Sequence, residues 1–123
     1  TPLYSSAASD VYKRQVSNDN PDYIIGTISL SHINRGSSPS ANMGYKIDRL
    51  NRGKGLASLM IAYMLDVVIP DLGIHRTECY IHPDNKISLH LMDKMSFIDE
   101  GIAHSYVKLN GKWQDHRRFV YIS

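Results

Sequence analysis

One apolar run at helical spacing, enclosed by two segments of strand character, constrains the fold of this chain more than any other feature. In segment 55–68 the apolar residues recur every three or four positions: Leu56, Leu59, Met60, Tyr63, Met64 and Val67. This spacing predicts a helix with one buried face, and we expect Pro70 and Gly73 to end it. A strand–helix–strand unit forms a crossover between parallel strands, and segments 43–48 and 74–82 supply the strands.

The remaining elements extend this unit to the order β-β-α-β-α-β-β. Alternating and β-branched residues predict a strand at 23–31, and apolar residues at i, i+4 and i+8 predict a second helix at 86–95. Two more strands are expected at 98–109 and 117–123, joined through Asn110-Gly111-Lys112, where Asn-Gly is a hairpin turn signal. The fold class is therefore α/β with a mixed sheet.

Composition bounds the location and the partners of the chain. Its 123 residues suit one domain, and a formal charge of +2, spread along the chain, predicts no direct nucleic-acid partner. No membrane-length apolar run and no signal peptide are present, so we expect a cytoplasmic protein without a membrane partner. The single Cys79 excludes an intrachain disulfide, and the six histidines share no ligand-like spacing, so we expect no metal site. The oligomeric state is left open.

The N-terminal segment 1–15 has neither a helical nor a strand period, and we expect it to be a disordered tail. Its residues 5–15, SSAASDVYKRQ, equal the translation of a common transposon-based sequencing adapter. We therefore interpret 1–15 as an artefactual tail and 16–123 as the domain. On this interpretation the natural protein was cut at Val16, and a part that precedes this residue is missing from the chain.

A basic, glycine-bearing turn joins the predicted strand at 43–48 to the first predicted helix. The first N–H groups of a helix have no intrahelical acceptor, and the helix dipole favours negative charge there. Glycines allow the backbone to approach a pyrophosphate closely, and Arg52 and Lys54 add positive charge. The turn therefore predicts an anion site, with an ordinary strand-to-helix turn as the alternative.

Three motifs in this order resemble the GNAT superfamily of N-acetyltransferases. Residues 52–57, RGKGLA, resemble its acyl-coenzyme A signature Arg/Gln-x-x-Gly-x-Gly/Ala. Residues 82–97, HPDNKISLHLMDKMSF, are similar to its second motif, Pro-x-Asn-x-x-Ser followed by Leu-x-x-Lys-x-Gly-Phe. Glu100-Gly101, Tyr106 and residues 110–116, NGKWQDH, resemble the branch that acetylates the N-terminal alanine of ribosomal proteins. The resemblance implies a partial, N-terminally truncated GNAT fold that lacks the family's first strand and first two helices.

The resemblance also implies a cosubstrate, acetyl-CoA, and a set of residues that hold it. Ile47, Asp48 and Arg49 would bind the pantetheine arm through the strand backbone, and Asn85 would contact the same arm. The pyrophosphate would lie in the turn and helix start formed by Arg52, Gly53, Lys54, Gly55, Leu56, Ala57 and Ser58.

The catalytic residue that the resemblance implies is Ser88, as the proton donor to the thiolate leaving group; the alternative is a structural hydroxyl in the first helical turn. Three positions depart from the family. Met92 stands where many members have a Tyr that acts as the general acid. Asn42 stands where the branch often has a Glu that could act as the general base. Ser96 replaces a Gly, which strains the helix exit if that position requires positive φ.

The implied function is transfer of acetyl from acetyl-CoA to a primary amine, at a protein N-terminal alanine or serine of the ribosomal-protein type. A small amine, such as a polyamine or an aminoglycoside, is the alternative acceptor. Two further alternatives are a non-catalytic acyl-CoA-binding module, which Met92 and Asn42 favour, and an inactive fragment with an exposed sheet edge.

Overall fold

Six strands form one mixed sheet in the order β1-β2-β3-β4-β6-β5. The computed structural model describes residues 11–17, 19–20, 22–48, 51–53 and 55–123. The strands are β1 (Tyr12–Ser17), β2 (Ile24–Asn34), β3 (Ser40–Ile47), β4 (Arg76–Ile81), β5 (Ile98–Leu109) and β6 (Lys112–Ile122). The helical segments are α1 (Leu56–Tyr63), a π-helical segment (Met64–Val68), α2 (Ile69–Leu72) and α3 (Lys86–Lys94).

The pairing of the strands confirms the predicted fold class. β3 and β4 are parallel, as the strand–helix–strand unit predicts, and the other neighbouring pairs are antiparallel. The hairpin turn at Asn110 and Gly111 has positive φ at both residues, 51° and 79°, as an Asn-Gly hairpin turn requires. β6 begins five positions earlier than predicted, since it pairs with β5 directly from Lys112.

The expectation of a disordered tail is wrong for residues 12–15, because they belong to strand β1. β1 pairs antiparallel with β2, and the Tyr12 side chain is buried in the core. The guanidinium of Arg14 lies 5.2 Å from the centre of the Tyr63 ring on α1. Two features explain this pairing. The edge of β2 offers backbone groups that β1 can pair with, and alternate side chains of β1, those of Tyr12, Arg14 and Val16, lie on the face of the sheet that the helices cover. The adapter interpretation stays a prediction, and residues 1–10 lie outside the described residues.

The first helical run continues past the predicted end at Pro70. The π-helical segment comes directly before α2, and Pro70 lies in the first turn of α2. Proline has no N–H and clashes with the carbonyl of a preceding turn, and the wider π turn accommodates both effects. Gly73 ends the run as expected, with φ of 70°.

The buried face of this run differs partly from the predicted stripe. Met60 and Met64 are buried as predicted, whereas Leu59 is 69% exposed and Val67 48% exposed. The run is apolar on most sides, so its periodicity alone does not fix which face packs on the sheet. The structure buries four further side chains of the run, Ile61, Leu65, Val68 and Ile69.

The helices cover one face of the sheet, where Ile28, Leu30, Met43 and Cys79 join the core. In the described part of the chain the other face, here the open face, has no helix against it. It carries mainly polar side chains: Thr27, Ser29, Ser31, Asn42, Lys46, Arg76, Glu78, Tyr80 and Arg118. Within the described residues, no helix has the length and apolar character that crossing a membrane requires.

Candidate acetyl-CoA site and catalytic corner

β3 and β4 separate within the sheet and form a wedge-shaped opening, here the wedge. They pair only from Ser40 to Asn42 and from Arg76 to Glu78. Beyond this point β3 stays with β2 and β4 stays with β6. The facing edges therefore turn backbone groups toward the wedge, and α1 and α3 both begin at its wide end because they follow β3 and β4.

Residues 51–58, here the glycine turn, include the turn before α1 and the first residues of that helix, and backbone conformation shapes the turn. Gly53 and Gly55 have φ of 78° and 75°, which residues with a Cβ rarely adopt. Among the described residues, no atom lies within 4 Å of a Cβ added at either position. Gly55 is the N-cap of α1 and gives it no side-chain cap, so the first N–H groups of the helix have no acceptor within the helix. This arrangement suits an anion.

A second basic side chain reaches the glycine turn from α3. Lys94 Nζ donates a hydrogen bond to Ser58 Oγ at 3.2 Å. Arg52, within the glycine turn, is exposed. The role of Lys94 at this turn was not predicted from the sequence, because 36 positions separate it from Ser58. Arg49 and Lys54, which the sequence assigns to the same site, lie outside the described residues.

Asp48 organises the entry to the glycine turn. Its backbone N–H donates to Ile25 O at 2.7 Å. Its carboxylate accepts hydrogen bonds from Asn51 Nδ2 at 3.0 Å and Tyr23 Oη at 3.4 Å. The Asp48 side chain thus shapes the turn, and its N–H points to β2. The other assigned residues are partly buried: Ile47 at the end of β3, and Leu56, Ala57 and Ser58 at the start of α1.

At the opposite side of the wedge, Asn85, Ser88 and Tyr45 form one hydrogen-bonded cluster, here the Ser88 corner. Asn85 Oδ1 caps α3 by accepting the backbone N–H of Ser88 at 3.2 Å. Ser88 is 9% exposed, and its Oγ accepts a hydrogen bond from Tyr45 Oη at 2.8 Å. This bond joins β3 to α3 across the wedge. No local pattern predicts this bond, because Tyr45 and Ser88 lie 43 positions apart.

The surroundings of the corner set its acid–base character. Burial raises the pKa of Tyr45 above its ordinary value, and the hydrogen bond to Ser88 acts in the opposite direction. Met92, one helical turn after Ser88, is fully buried and has no proton to give.

Asn42 has Glu78 as its register partner on β4. The Glu78 carboxylate accepts hydrogen bonds from Tyr80 Oη at 2.7 Å and Arg76 Nε at 2.9 Å. Burial alone raises the pKa of Glu78, but these bonds outweigh it and the pKa lies below its ordinary value. Glu78 is therefore a carboxylate already engaged by two donors.

Comparisons with known proteins agree on one family. A family model described as "Acetyltransferase (GNAT) domain" matches residues 4–98, a range that begins inside segment 1–15. The probable N-acetyltransferase YjcK of Bacillus subtilis is 38% identical over 96 residues, covering 78% of this chain and 53% of the relative.

Solved structures share the fold. The ribosomal-protein-S5-alanine acetyltransferase from Vibrio fischeri superposes with a TM-score of 0.86 at 29% identity, covering 92% of this chain and 62% of that chain. A mutant of the spermidine N-acetyltransferase SpeG from Vibrio cholerae gives a TM-score of 0.83 at 25% identity, covering 94% and 68%.

The chain spans about half the length of the curated relatives that it matches. The family model nevertheless covers more than half of the chain, from β1 through α3. The first two predicted motifs lie at the glycine turn and the Ser88 corner, on the two sides of the wedge, and the third lies in the β5–β6 hairpin. This chain belongs to the GNAT acetyltransferase family.

Proposed function

We propose that this chain carries the acetyl-CoA-binding part of an N-acetyltransferase that transfers acetyl to a primary amine, the N-terminal alanine or serine of a protein. The observation that carries this proposal is the wedge between β3 and β4, with an anion-binding turn on one side and a hydroxyl pair on the other. Family membership supports the reaction class.

The residues at the wedge fit acetyl-CoA. The pyrophosphate binds the N–H groups of the glycine turn, with Arg52, Lys54 and Lys94 as its cations. The pantetheine arm follows the edge of β3 that β4 leaves unpaired and passes Ile47 and Asp48. Asn85 Oδ1 is used by the helix cap, so the side-chain NH2 is the group that contacts the arm.

The chemistry is attack of a neutral amine on the thioester that acetyl-CoA supplies. Ser88 provides the proton for the sulfur, and its place at the start of α3 brings the hydroxyl to the wedge. Met92 and Asn42 contribute neither an acid nor a base, since a thioether and an amide do not exchange protons at neutral pH. The amine proton leaves to water.

The charges of the open face favour a singly charged acceptor. Beside the wedge, Arg76 pairs with Glu78 at 2.9 Å and Arg118 pairs with Glu100 at 3.1 Å. Two cations and two anions leave no net negative charge to attract a polycation. A protein N-terminus carries one charge, so this balance supports it over a polyamine, although the comparisons include a spermidine acetyltransferase.

The test is acetyl transfer by the full chain to three acceptors: a peptide with N-terminal alanine, the same peptide with a blocked N-terminus, and spermidine. We expect transfer to the free peptide and none to the blocked one, with Ser88→Ala slowing the reaction. Preference for spermidine would replace the proposed acceptor. Binding of acetyl-CoA without transfer to any amine would contradict the enzyme and favour the binding module.

A further inference from the structure

A serine hydroxyl alone is a poor acid for the reaction proposed above, on which this inference rests. The pKa of an aliphatic hydroxyl is close to that of water and far above that of a phenol, which is about 10. A thiolate leaving group therefore cannot take a proton from an isolated serine without forming a strongly basic alkoxide. Ser88 needs a second group that replaces its proton as it leaves.

The phenol of Tyr45 is placed to be that group. Its Oη donates to Ser88 Oγ at 2.8 Å, so the hydrogen of Ser88 points away from Tyr45. The backbone N–H of Ser88 donates to Asn85 Oδ1, which caps the start of α3. Tyr45 itself lies in β3, where it pairs with Ile28 of β2 on one side and borders the wedge on the other.

We infer that Tyr45 is a positioning residue that makes Ser88 an effective acid, by directing the serine hydrogen into the wedge and supplying the proton that replaces it. The amine nitrogen bonds to the acyl carbon and loses a proton, and the bond between that carbon and sulfur breaks. Sulfur takes the proton of Ser88, Ser88 takes that of Tyr45, and the proton lost by nitrogen restores Tyr45 through water. Atoms and charge balance without a further reactant.

The burial of Tyr45 is consistent with this role. Burial raises the pKa of Tyr45 and keeps the phenol protonated through the neutral range, so the donor is present at neutral pH. This role predicts that Tyr45 and Ser88 contribute to kcat as one unit, so the effects of their substitutions should not add.

The test compares Tyr45→Phe with Tyr63→Phe, a matched loss of a phenol on α1 that accepts a hydrogen bond from Arg14. Each variant is assayed with acetyl-CoA and with an acetyl aryl thioester, whose thiolate leaves without a proton. We expect Tyr45→Phe to lower kcat with acetyl-CoA at least tenfold at unchanged KM and to leave kcat/KM for the aryl thioester within twofold. Tyr63→Phe should change neither.

Pairing with Ser88→Ala sharpens the result. The double variant should be no slower than Ser88→Ala alone, because Tyr45 acts through Ser88. A Tyr45→Phe loss below twofold, or an equal loss with both donors, would overturn the inference and leave a structural role. Absence of transfer by the unaltered chain would instead refute the proposed function, and this inference with it.

Discussion

The glycine turn holds its shape through backbone conformation, whereas the Ser88 corner is held by side-chain hydrogen bonds. In the turn, Gly53 and Gly55 adopt positive φ beside open space. In the corner, Tyr45 Oη donates to Ser88 Oγ, and the Ser88 backbone N–H donates to Asn85 Oδ1. The difference teaches that substitutions should separate two roles. The turn, together with the Asn85 side chain, governs affinity for acetyl-CoA, whereas the hydroxyl pair of Ser88 and Tyr45 governs turnover.

The largest effect is expected at Ser88. Ser88→Ala removes the proton donor and should lower kcat by about 100-fold to 10,000-fold, the usual contribution of general acid catalysis. The Kd for acetyl-CoA should stay within twofold, as measured by calorimetry. Ser29→Ala, on the open face of β2, is the control and should change neither value. A tenfold loss of affinity in Ser88→Ala would break the division between turn and corner.

Asn85 should separate stability from binding. Asn85→Ala removes the N-cap of α3, at a cost of about 1 kcal/mol, and should lower the Tm by about 4 °C. Asn85→Asp keeps a capping oxygen and loses the NH2 group, so its Tm should match the unaltered chain while its affinity for acetyl-CoA falls. Thermal unfolding followed by circular dichroism gives the Tm. Equal Tm values for all three chains would show that the cap contributes nothing.

Arg52 and Lys94 should contribute less to acetyl-CoA binding, because both side chains are exposed to water. Arg52→Gln and Lys94→Gln should each weaken acetyl-CoA binding about threefold, and less at high salt, since an exposed charge is screened. Lys108→Gln, on β5, is the control with the same change of charge. Unchanged affinity in Lys94→Gln would remove Lys94 from the site and leave its bond to Ser58 as a structural contact.

The smallest effect is expected at the other end of α3. Ser96 has φ of 66°, so the strain that its replacement of a glycine predicts is present. Ser96→Gly should raise the stability by about 0.5 kcal/mol and the Tm by about 2 °C, the net of relieved strain and added chain entropy. Turnover should not change, because Ser96 is far along the helix from Ser88. A lower Tm would show that the Ser96 side chain stabilises the exit.

Local signals in the sequence predicted most helices and strands, but they could not predict contacts between residues that lie far apart in the sequence. Asn110-Gly111 predicted the β5–β6 hairpin because the turn needs positive φ at both residues. The pairing of β1 with β2 was missed because residues 12–17 have no pattern of their own and follow the edge of β2.

At the site, the same limit separates what was predicted from what was found. The glycines and Ser88 were predicted from motifs, since each motif is contiguous, and their roles stay predictions. The contact of Tyr45 with Ser88 and that of Lys94 with Ser58 arise only when β3, α1 and α3 pack around the wedge. The buried face of the first helical run was only partly predicted for a related reason. The run is apolar on most sides, so its periodicity does not determine which side packs on the sheet.

The central claim, that the glycine turn binds the pyrophosphate of acetyl-CoA, is tested most directly by calorimetric titration of acetyl-CoA into the full chain and into Gly55→Glu. The added carboxylate repels a phosphate at the N-terminus of α1, and we predict at least a hundredfold loss of affinity. Gly111→Glu introduces the same side chain at a φ of 79° in the β5–β6 hairpin and should bind as the unaltered chain does. Equal affinity in all three chains, each folded by circular dichroism, would contradict the account.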